Sequence, residues 1–138
     1  MDRFPTYGSV RMILEMTIER LDPVTAVVII DGSLTLGSNL KALDAEVRRL
    51  ITDGVDRLIL DLSGCIYSDS GGLGFLIHSY GLIAERHGVM RLCGVGERLL
   101  GMLKMTRTED FIPRDSCRQE SIDRIMGPVE EVQAQVRD

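Results

Sequence analysis

The feature that most constrains this chain is the alternation of strand-like and helix-like apolar patterns between residues 11 and 127. The first segment, RMILEMTIERL, places apolar residues at every second position, as a half-buried strand does. The β-branched run AVVIID follows after the turn DPVT. These two segments predict an antiparallel hairpin at the start of the fold.

The next two segments predict a helix and a buried strand. The helix is predicted to begin at Ser38 or Asn39, both common N-cap residues, and to be stopped by Gly54. Its apolar residues share one face and are Leu40, Leu43, Val47, Leu50 and Ile51. VDRLILDLSG has a nearly continuous apolar middle, which is typical of a parallel strand that is buried on both sides.

The rest of the chain continues the alternation. A second helix is predicted from Ser70 to about His87, followed by the strand VMRLCGV, the helix GERLLGMLKMT, a short strand DFIP and a last helix in SCRQESIDRIMG. This order predicts an α/β fold with a mostly parallel sheet of four or five strands, an N-terminal antiparallel hairpin strand and about four helices. With 138 residues the chain fits one domain, taken as residues 11–127, between tails at 1–10 and 128–138.

Charge and cysteine content exclude several classes of protein. A net charge of −5 without any basic run argues against a nucleic-acid binder. Cys65, Cys93 and Cys117 lack the spacing of metal ligands or of a disulfide framework, so buried free thiols and no metal are expected. No segment approaches the ~20 apolar residues of a membrane span, and the N-terminus lacks a signal-peptide pattern. A cytoplasmic protein is therefore predicted.

The stretch SDSGGLG, residues 68–74, lies between the third strand and the second helix and raises the question of what its serine does. A hydrolase would need the pattern G-x-S-x-G, but Ser68 stands where the first glycine is required. His78 follows Ser70 by eight residues on the same helix, a rise of roughly 12 Å, so it cannot act as its base. No enzymatic constellation is left, and the protein is predicted not to be an enzyme.

Nucleotide binding and helix capping are the other functions that the residues alone suggest for such glycine- and serine-rich turns. GSLTLGSN has P-loop glycine spacing, but Ser38 replaces the required lysine, and in GVGERL Leu99 replaces the third small residue of a dinucleotide fingerprint. We therefore expect no bound cofactor. Capping of the second helix by Ser68, Asp69 or Ser70 stays open, as does modification of Ser70.

The sequence also resembles a known family. LILDLSGCIYSDSGGLGFLI is similar to the signature of STAS domains, in particular of bacterial anti-sigma factor antagonists, in which an apolar strand leads into an Asp-Ser-x-Gly-Leu turn. The likeness extends over roughly residues 12–126 and includes VVIIDGSLTLGSNLKALDAEV and MRLCGVGERLLGMLKMT.

The resemblance implies a phosphorylation site. In that family the serine after the aspartate is phosphorylated by a partner, an anti-sigma factor that is also an ATP-dependent serine kinase. Carried over, Ser70 is the phosphoacceptor, and Asp69, Gly71 and Gly72 belong to the partner-binding surface. Thr35 is included in that surface, although many relatives have an aspartate at this position.

A further candidate comes from the second helix. Its core face is predicted to contain Leu73, Leu76, Ile77, Tyr80, Ile83 and Ala84. Phe75 and Leu82 fall on another stripe, near the rim of the serine turn. Phe75 is therefore a candidate partner contact, with coverage by a neighbouring helix as the alternative.

Two functional hypotheses follow. The first is an anti-sigma factor antagonist that binds the kinase, is switched off by phosphorylation of Ser70 and so regulates sigma-factor-dependent transcription, with a serine phosphatase as a further partner. The second keeps the fold without the switch, as a scaffold module of a stress-sensing or transporter complex in which the serine only caps a helix. Under either hypothesis we expect a monomer or weak homodimer without nucleic acid or membrane span.

Overall fold

The computed structural model describes residues 14–127. The predicted tails and the first three residues of the predicted first strand lie outside this range. The strands are β1 (Leu14–Asp22), β2 (Thr25–Leu34), β3 (Arg57–Ser68), β4 (Val89–Cys93) and β5 (Arg114–Asp115). The helices are α1 (Ser38–Thr52), α2 (Ser70–Glu85), α3 (Glu97–Met105) and α4 (Arg118–Ile125), with a 3₁₀ turn at Thr108–Asp110.

The five strands form one sheet whose spatial order, β1-β2-β3-β4-β5, is the order along the chain. β1 pairs antiparallel with β2, and all other neighbours pair parallel. The predicted α/β fold with its N-terminal hairpin is confirmed. Because the order runs in one direction, right-handed crossovers place α1, α2 and α3 on the same face of the sheet.

The main core fills the space between these three helices and the sheet. All five residues of the predicted apolar face of the first helix are buried, with Val47 fully so. The middle of β3, residues 58–62, is buried throughout, as its continuous apolar run predicts. α4 covers the opposite face of the sheet, where Ile125 packs with Val27, Ile59 and Cys93.

One strand prediction and one capping prediction are wrong. DFIP is not a strand: a 3₁₀ turn ends at Asp110, Ile112 is buried, and the paired residues of β5 come only after Pro113. Proline lacks the N–H that a ladder needs, although its carbonyl accepts a bond from the N–H of Leu92. α1 begins at Ser38, which confirms the predicted start, but its N-cap is Gly37, so neither Ser38 nor Asn39 caps this helix.

The stop of α1 lies where the sequence predicts it, whereas the three thiols differ in burial. Gly54 follows α1 with a φ of 110°, a conformation that side chains disfavour, which confirms it as the stop. All three cysteines are free, as predicted. Their predicted burial holds only for Cys93, since Cys65 is half-buried and Cys117 is exposed at the start of α4. No helix in residues 14–127 has the length and apolar character that crossing a bilayer requires.

Candidate functional site

The serine turn lies at the carboxyl edge of the sheet, where β3 passes into α2. Leu34 at the end of β2 is the register partner of Ser68 at the end of β3, and Asp69 N–H donates to the Leu34 carbonyl at 3.2 Å. Thr35 directly follows Leu34, and Asp69 directly follows Ser68. The two residues therefore leave neighbouring strands that lie about 4.8 Å apart. The structure thus brings the two segments of the predicted site together.

Asp69 is the N-cap of α2, so of the three candidate caps, Ser68, Asp69 and Ser70, it is the aspartate that caps this helix. Its Oδ1 accepts a hydrogen bond from the N–H of Gly72 at 3.0 Å, and its Oδ2 accepts one from the N–H of Leu36 at 3.1 Å. Burial alone raises the pKa of Asp69, but backbone N–H donors led by those of Leu36, Gly72 and Gly71 outweigh it and hold the pKa below 3.8. The turn therefore carries a fixed negative charge at neutral pH.

The two serines of the turn have opposite environments. Ser68 is 4% exposed, and its hydroxyl donates to the Asp69 carbonyl at 3.1 Å. Ser70 is exposed and is the first residue of α2, a helix of 16 residues. Helix N-termini present unpaired N–H groups and partial positive charge, so an anion on Ser70 would sit in a favourable field. Ser70 is the hydroxyl of this turn that another protein can reach.

Gly72 keeps the turn tight. A Cβ at this position would collide with the carbonyl oxygen of Leu34 and with Oγ of Ser68. Gly71 is less constrained, because a Cβ there would meet mainly Cδ1 of Leu36 at 2.5 Å, at the end of a side chain that is 76% exposed. Close packing of the backbone thus requires glycine at 72, while position 71 borders open surface.

The predicted face of the second helix is partly wrong. Phe75 is 5% exposed and belongs to the main core, so it lies on the buried face of α2 and not on the exposed stripe that the sequence predicts for it. Ile77 and Ala84, predicted in the core, are exposed, and Leu82 is half-buried. The buried face of α2 consists of Gly72, Leu73, Phe75, Leu76, Ser79 and Ile83.

A groove that the sequence did not predict opens between α1 and α2 beside the turn. It has a volume of about 270 Å³. Its lining is mostly apolar and is formed by Leu36, Gly37, Leu40, Lys41, Asp44, Gly71, Gly74, Phe75 and His78. The glycines at 37 and 74 are the signal in the sequence, because a Cβ at either position would meet nothing within 4 Å and side chains there would take up this space.

His78 belongs to this groove and contacts α1 instead of the serine. Its Nε2 lies 2.8 Å from Nη2 of Arg48, and Nε of Arg48 lies 2.9 Å from Oδ2 of Asp44. Since arginine only donates hydrogen bonds, Nε2 of His78 must be the acceptor here, with the ring proton on Nδ1. The histidine is thereby engaged on the side of α2 that faces α1.

A second polar cluster lies under α4, on the other face of the sheet. Asp61, Cys93 and Asp115 are register neighbours across β3, β4 and β5. Arg118 of α4 binds Asp61 at 2.7 Å. Arg91 binds Asp115 through two nitrogens at 2.7 and 3.0 Å, and Arg124 of α4 reaches it at 3.1 Å. Ion pairs thus attach α4 to the sheet beside the small apolar cluster around Ile125.

The family model described as "Mlab, STAS domain" matches residues 18–113, more than half of the chain. The protein belongs to the STAS domain family. This confirms the resemblance read from the serine-turn signature. No curated protein matches the sequence at a significant level.

Solved structures share the STAS fold. The anti-sigma factor antagonist SpoIIAA in its unphosphorylated form is 21% identical, covers 83% of this chain and 100% of its own, and has a TM-score of 0.67. The phosphorylated form of SpoIIAA, a Bacillus cell fate determinant, is 16% identical over 80% of this chain and 99% of its own, with a TM-score of 0.68. An anti-sigma factor antagonist from Mycobacterium paratuberculosis is 18% identical over 83% and 96%, with a TM-score of 0.72. At these identities the likeness concerns the fold.

Proposed function

We propose that this STAS protein is an anti-sigma factor antagonist that binds an anti-sigma factor with serine kinase activity and is released from it when Ser70 is phosphorylated. The observation that carries the proposal is the exposed hydroxyl of Ser70 at the first residue of α2, in a turn that Asp69 holds in place. The naming of SpoIIAA and of the Mycobacterium structure as anti-sigma factor antagonists supports it. The protein would act in the cytoplasm, where ATP supplies the phosphate, and a serine phosphatase would reverse the switch.

The switch would act on the partner and leave the domain folded. A phosphate on Ser70 adds about −1.5 to −2 charges to a turn that already contains the Asp69 carboxylate. A doubly charged group about 4 Å from an acidic atom of the partner costs roughly 2 kcal/mol in water and more in a partly dry interface. Roughly 2 kcal/mol already corresponds to more than a tenfold loss of affinity. Phosphorylated and unphosphorylated SpoIIAA match this fold with TM-scores of 0.68 and 0.67, in keeping with a switch that spares the fold.

The direct test is phosphate transfer by purified serine-kinase anti-sigma factors encoded near the gene for this chain. After incubation with kinase and ATP, intact-mass analysis should show one added phosphate on the wild type and none on Ser70→Ala. Ser68→Ala is the matched control, since Ser68 lies in the same turn but is buried, and it should be phosphorylated like the wild type. Equal incorporation into wild type and Ser70→Ala would exclude Ser70 as the site.

The scaffold function is the competing proposal, and the residue that favours it is Thr35, which stands where the resemblance to the family leads us to expect an aspartate. Thr35 is half-buried directly after β2 and brings no negative charge to the turn. A scaffold would not need to recognise a kinase loaded with nucleotide. Binding of the unmodified protein to a serine-kinase anti-sigma factor in the presence of nucleotide, measured by calorimetry, therefore separates the two functions.

A further inference from the structure

We propose that the groove between α1 and α2 receives one apolar side chain of the kinase partner, and that Lys41 at the groove pairs with a carboxylate beside that side chain. This inference rests on the proposed function, because it places the partner on the surface next to Ser70. It goes beyond that function by assigning a docking site and the chemistry of the segment that fills it.

The size and lining of the groove fit a side chain. Gly37 and Gly74 leave it open, since a Cβ at either position would meet nothing within 4 Å. Leu40 and Phe75, which are 7% and 5% exposed, line it from the core side. Its volume of about 270 Å³ is below the range of roughly 300–1,000 Å³ that is usual for small-molecule pockets. An apolar groove of this size suits a single large side chain such as leucine, methionine or phenylalanine.

The charges around the groove indicate which kind of partner residue would lie beside the inserted apolar side chain. Asp44 and His78 are both engaged by Arg48, at 2.9 and 2.8 Å. Lys41 lines the same groove, and within residues 14–127 it forms no ion pair. An ammonium group that has no ion-pair partner among the described residues, next to an apolar groove, favours a partner segment in which an acidic residue adjoins the apolar one.

The position of the groove links docking to the switch. Gly71 lines the groove and directly follows Ser70, so their Cα atoms are about 3.8 Å apart. Leu36, also part of the lining, is held by the hydrogen bond from its N–H to Asp69. A carboxylate that a partner brings to this surface would therefore meet the dianion on phosphorylated Ser70, and the same dianion would compete for Lys41. Docking in the groove thus supplies the acidic group that the proposed release requires.

Filling the groove tests the docking site. Gly74→Leu places a side chain in it, whereas Gly81→Leu is a matched control two turns further along α2, with equally open surroundings and outside the lining. Binding of both variants to the nucleotide-loaded kinase that phosphorylates the wild type is measured by calorimetry, after circular dichroism has verified the fold. Gly74→Leu should weaken binding at least tenfold, and Gly81→Leu should stay within twofold of the wild type.

Charge reversal tests the lysine. Lys41→Glu should weaken binding about tenfold, with a larger effect at low salt. Lys104→Glu is the control, because Lys104 is the only other lysine of the chain and is exposed on α3, away from the groove. Equal effects of the two charge reversals would show that only net charge matters and would overturn the assigned contact.

The results separate this inference from the proposed function. If no serine-kinase anti-sigma factor binds or phosphorylates the wild type, the proposed function fails and the inference fails with it. If the wild type is bound and phosphorylated but Gly74→Leu binds as tightly as Gly81→Leu, only the inference is overturned. If sedimentation shows a wild-type dimer that Gly74→Leu dissociates, a second copy of this chain fills the groove, which also overturns it.

Discussion

Asp69 holds Leu36 across 33 residues of sequence, with its Oδ2 3.1 Å from the backbone nitrogen of Leu36. The other carboxylate oxygen accepts from Gly72 at the start of α2. One side chain therefore caps the helix that presents Ser70 and fixes the loop between β2 and α1. The geometry of the candidate surface depends on this carboxylate as much as on the serine itself.

Asp69→Ala should lower the free energy of unfolding by about 1–2 kcal/mol, because it removes the N-cap and the acceptor for the Leu36 N–H together. Asp69→Asn should lose less, since its amide oxygen still accepts from one of the two N–H groups but its NH₂ group cannot accept from the other. Urea denaturation at pH 7 measures both. Identical losses in the two variants would contradict the double role of the carboxylate.

Gly72→Ala and Gly74→Ala should change stability in opposite directions. At Gly72 the added methyl would collide with the backbone carbonyl of Leu34, so we expect a loss of about 1–3 kcal/mol. At Gly74, inside α2, the methyl meets nothing within 4 Å, and alanine should stabilise the helix by about 0.5–1 kcal/mol. Urea midpoints provide the comparison, and a stabilised Gly72→Ala protein would show that the turn is not tightly packed.

The sequence predicts helices and their buried faces well where a single apolar period dominates. α1 has a clear stripe, and all five of its predicted core residues are buried. α2 is apolar on nearly all sides, so the apolar period does not select one buried face. The sequence therefore predicts Ile77 in the core and Phe75 outside it, whereas the structure has Phe75 buried and Ile77 exposed. The serine turn was recognisable because its residues are contiguous, whereas the groove combines positions from two helices that only the fold brings together.

The cluster under α4 could not be predicted for a related reason. Asp61 and Arg118 are separated by 57 residues, so no local charge pattern pairs them. Because β5 is the last strand and α4 follows it, no crossover rule decides which face this helix covers. Its ion pairs with Asp61 and Asp115 become visible only when the strand register is known.

The Asp115 carboxylate should make the free energy of unfolding depend on pH below about pH 4. Burial alone raises its pKa, but hydrogen bonds from Arg91 and Ser121 and the charges of Arg91 and Arg124 outweigh it, so its pKa lies below 3.8 in the folded protein. A lowered folded pKa contributes stability above about pH 4, and this contribution is lost as the pH falls through the folded value.

Asp115→Asn should therefore cost about 3 kcal/mol at pH 7, because it leaves the buried end of Arg91 without its carboxylate. The difference from the wild type should shrink as the pH falls below about 4, because the Asp115 carboxyl of the unfolded wild-type chain takes up a proton there before the folded one does. Urea denaturation at several pH values between 3 and 7 measures this difference. A difference that stays constant over this range would mean that the ionised carboxylate contributes nothing.

The three thiols should react at very different rates. Burial and the negative charge of Asp61 raise the pKa of Cys93 to about 12, and burial also raises the pKa of Cys65. Cys117 is exposed at the start of α4. Iodoacetamide at pH 8, followed by peptide mass spectrometry, should label Cys117 first and Cys93 only after unfolding, because the thiolate is the reactive species. Labelling of native Cys93 as fast as Cys117 would show that α4 does not stay docked on the sheet.

Ser70→Glu tests whether a negative charge at the proposed phosphorylation site leaves the fold intact. The N-terminus of α2 should favour the added anion by about 0.3–1 kcal/mol, and the nearby Asp69 carboxylate should offset part of this gain. We therefore expect the free energy of unfolding to change by less than about 1 kcal/mol. Ser79→Glu is the contrasting variant on the same helix, since Ser79 is fully buried and its hydroxyl has no partner among the described residues, so a charge there should prevent folding. Thermal and urea unfolding of both variants measure this contrast. A large loss in Ser70→Glu would mean that the charge acts by disrupting α2 and not at the partner surface.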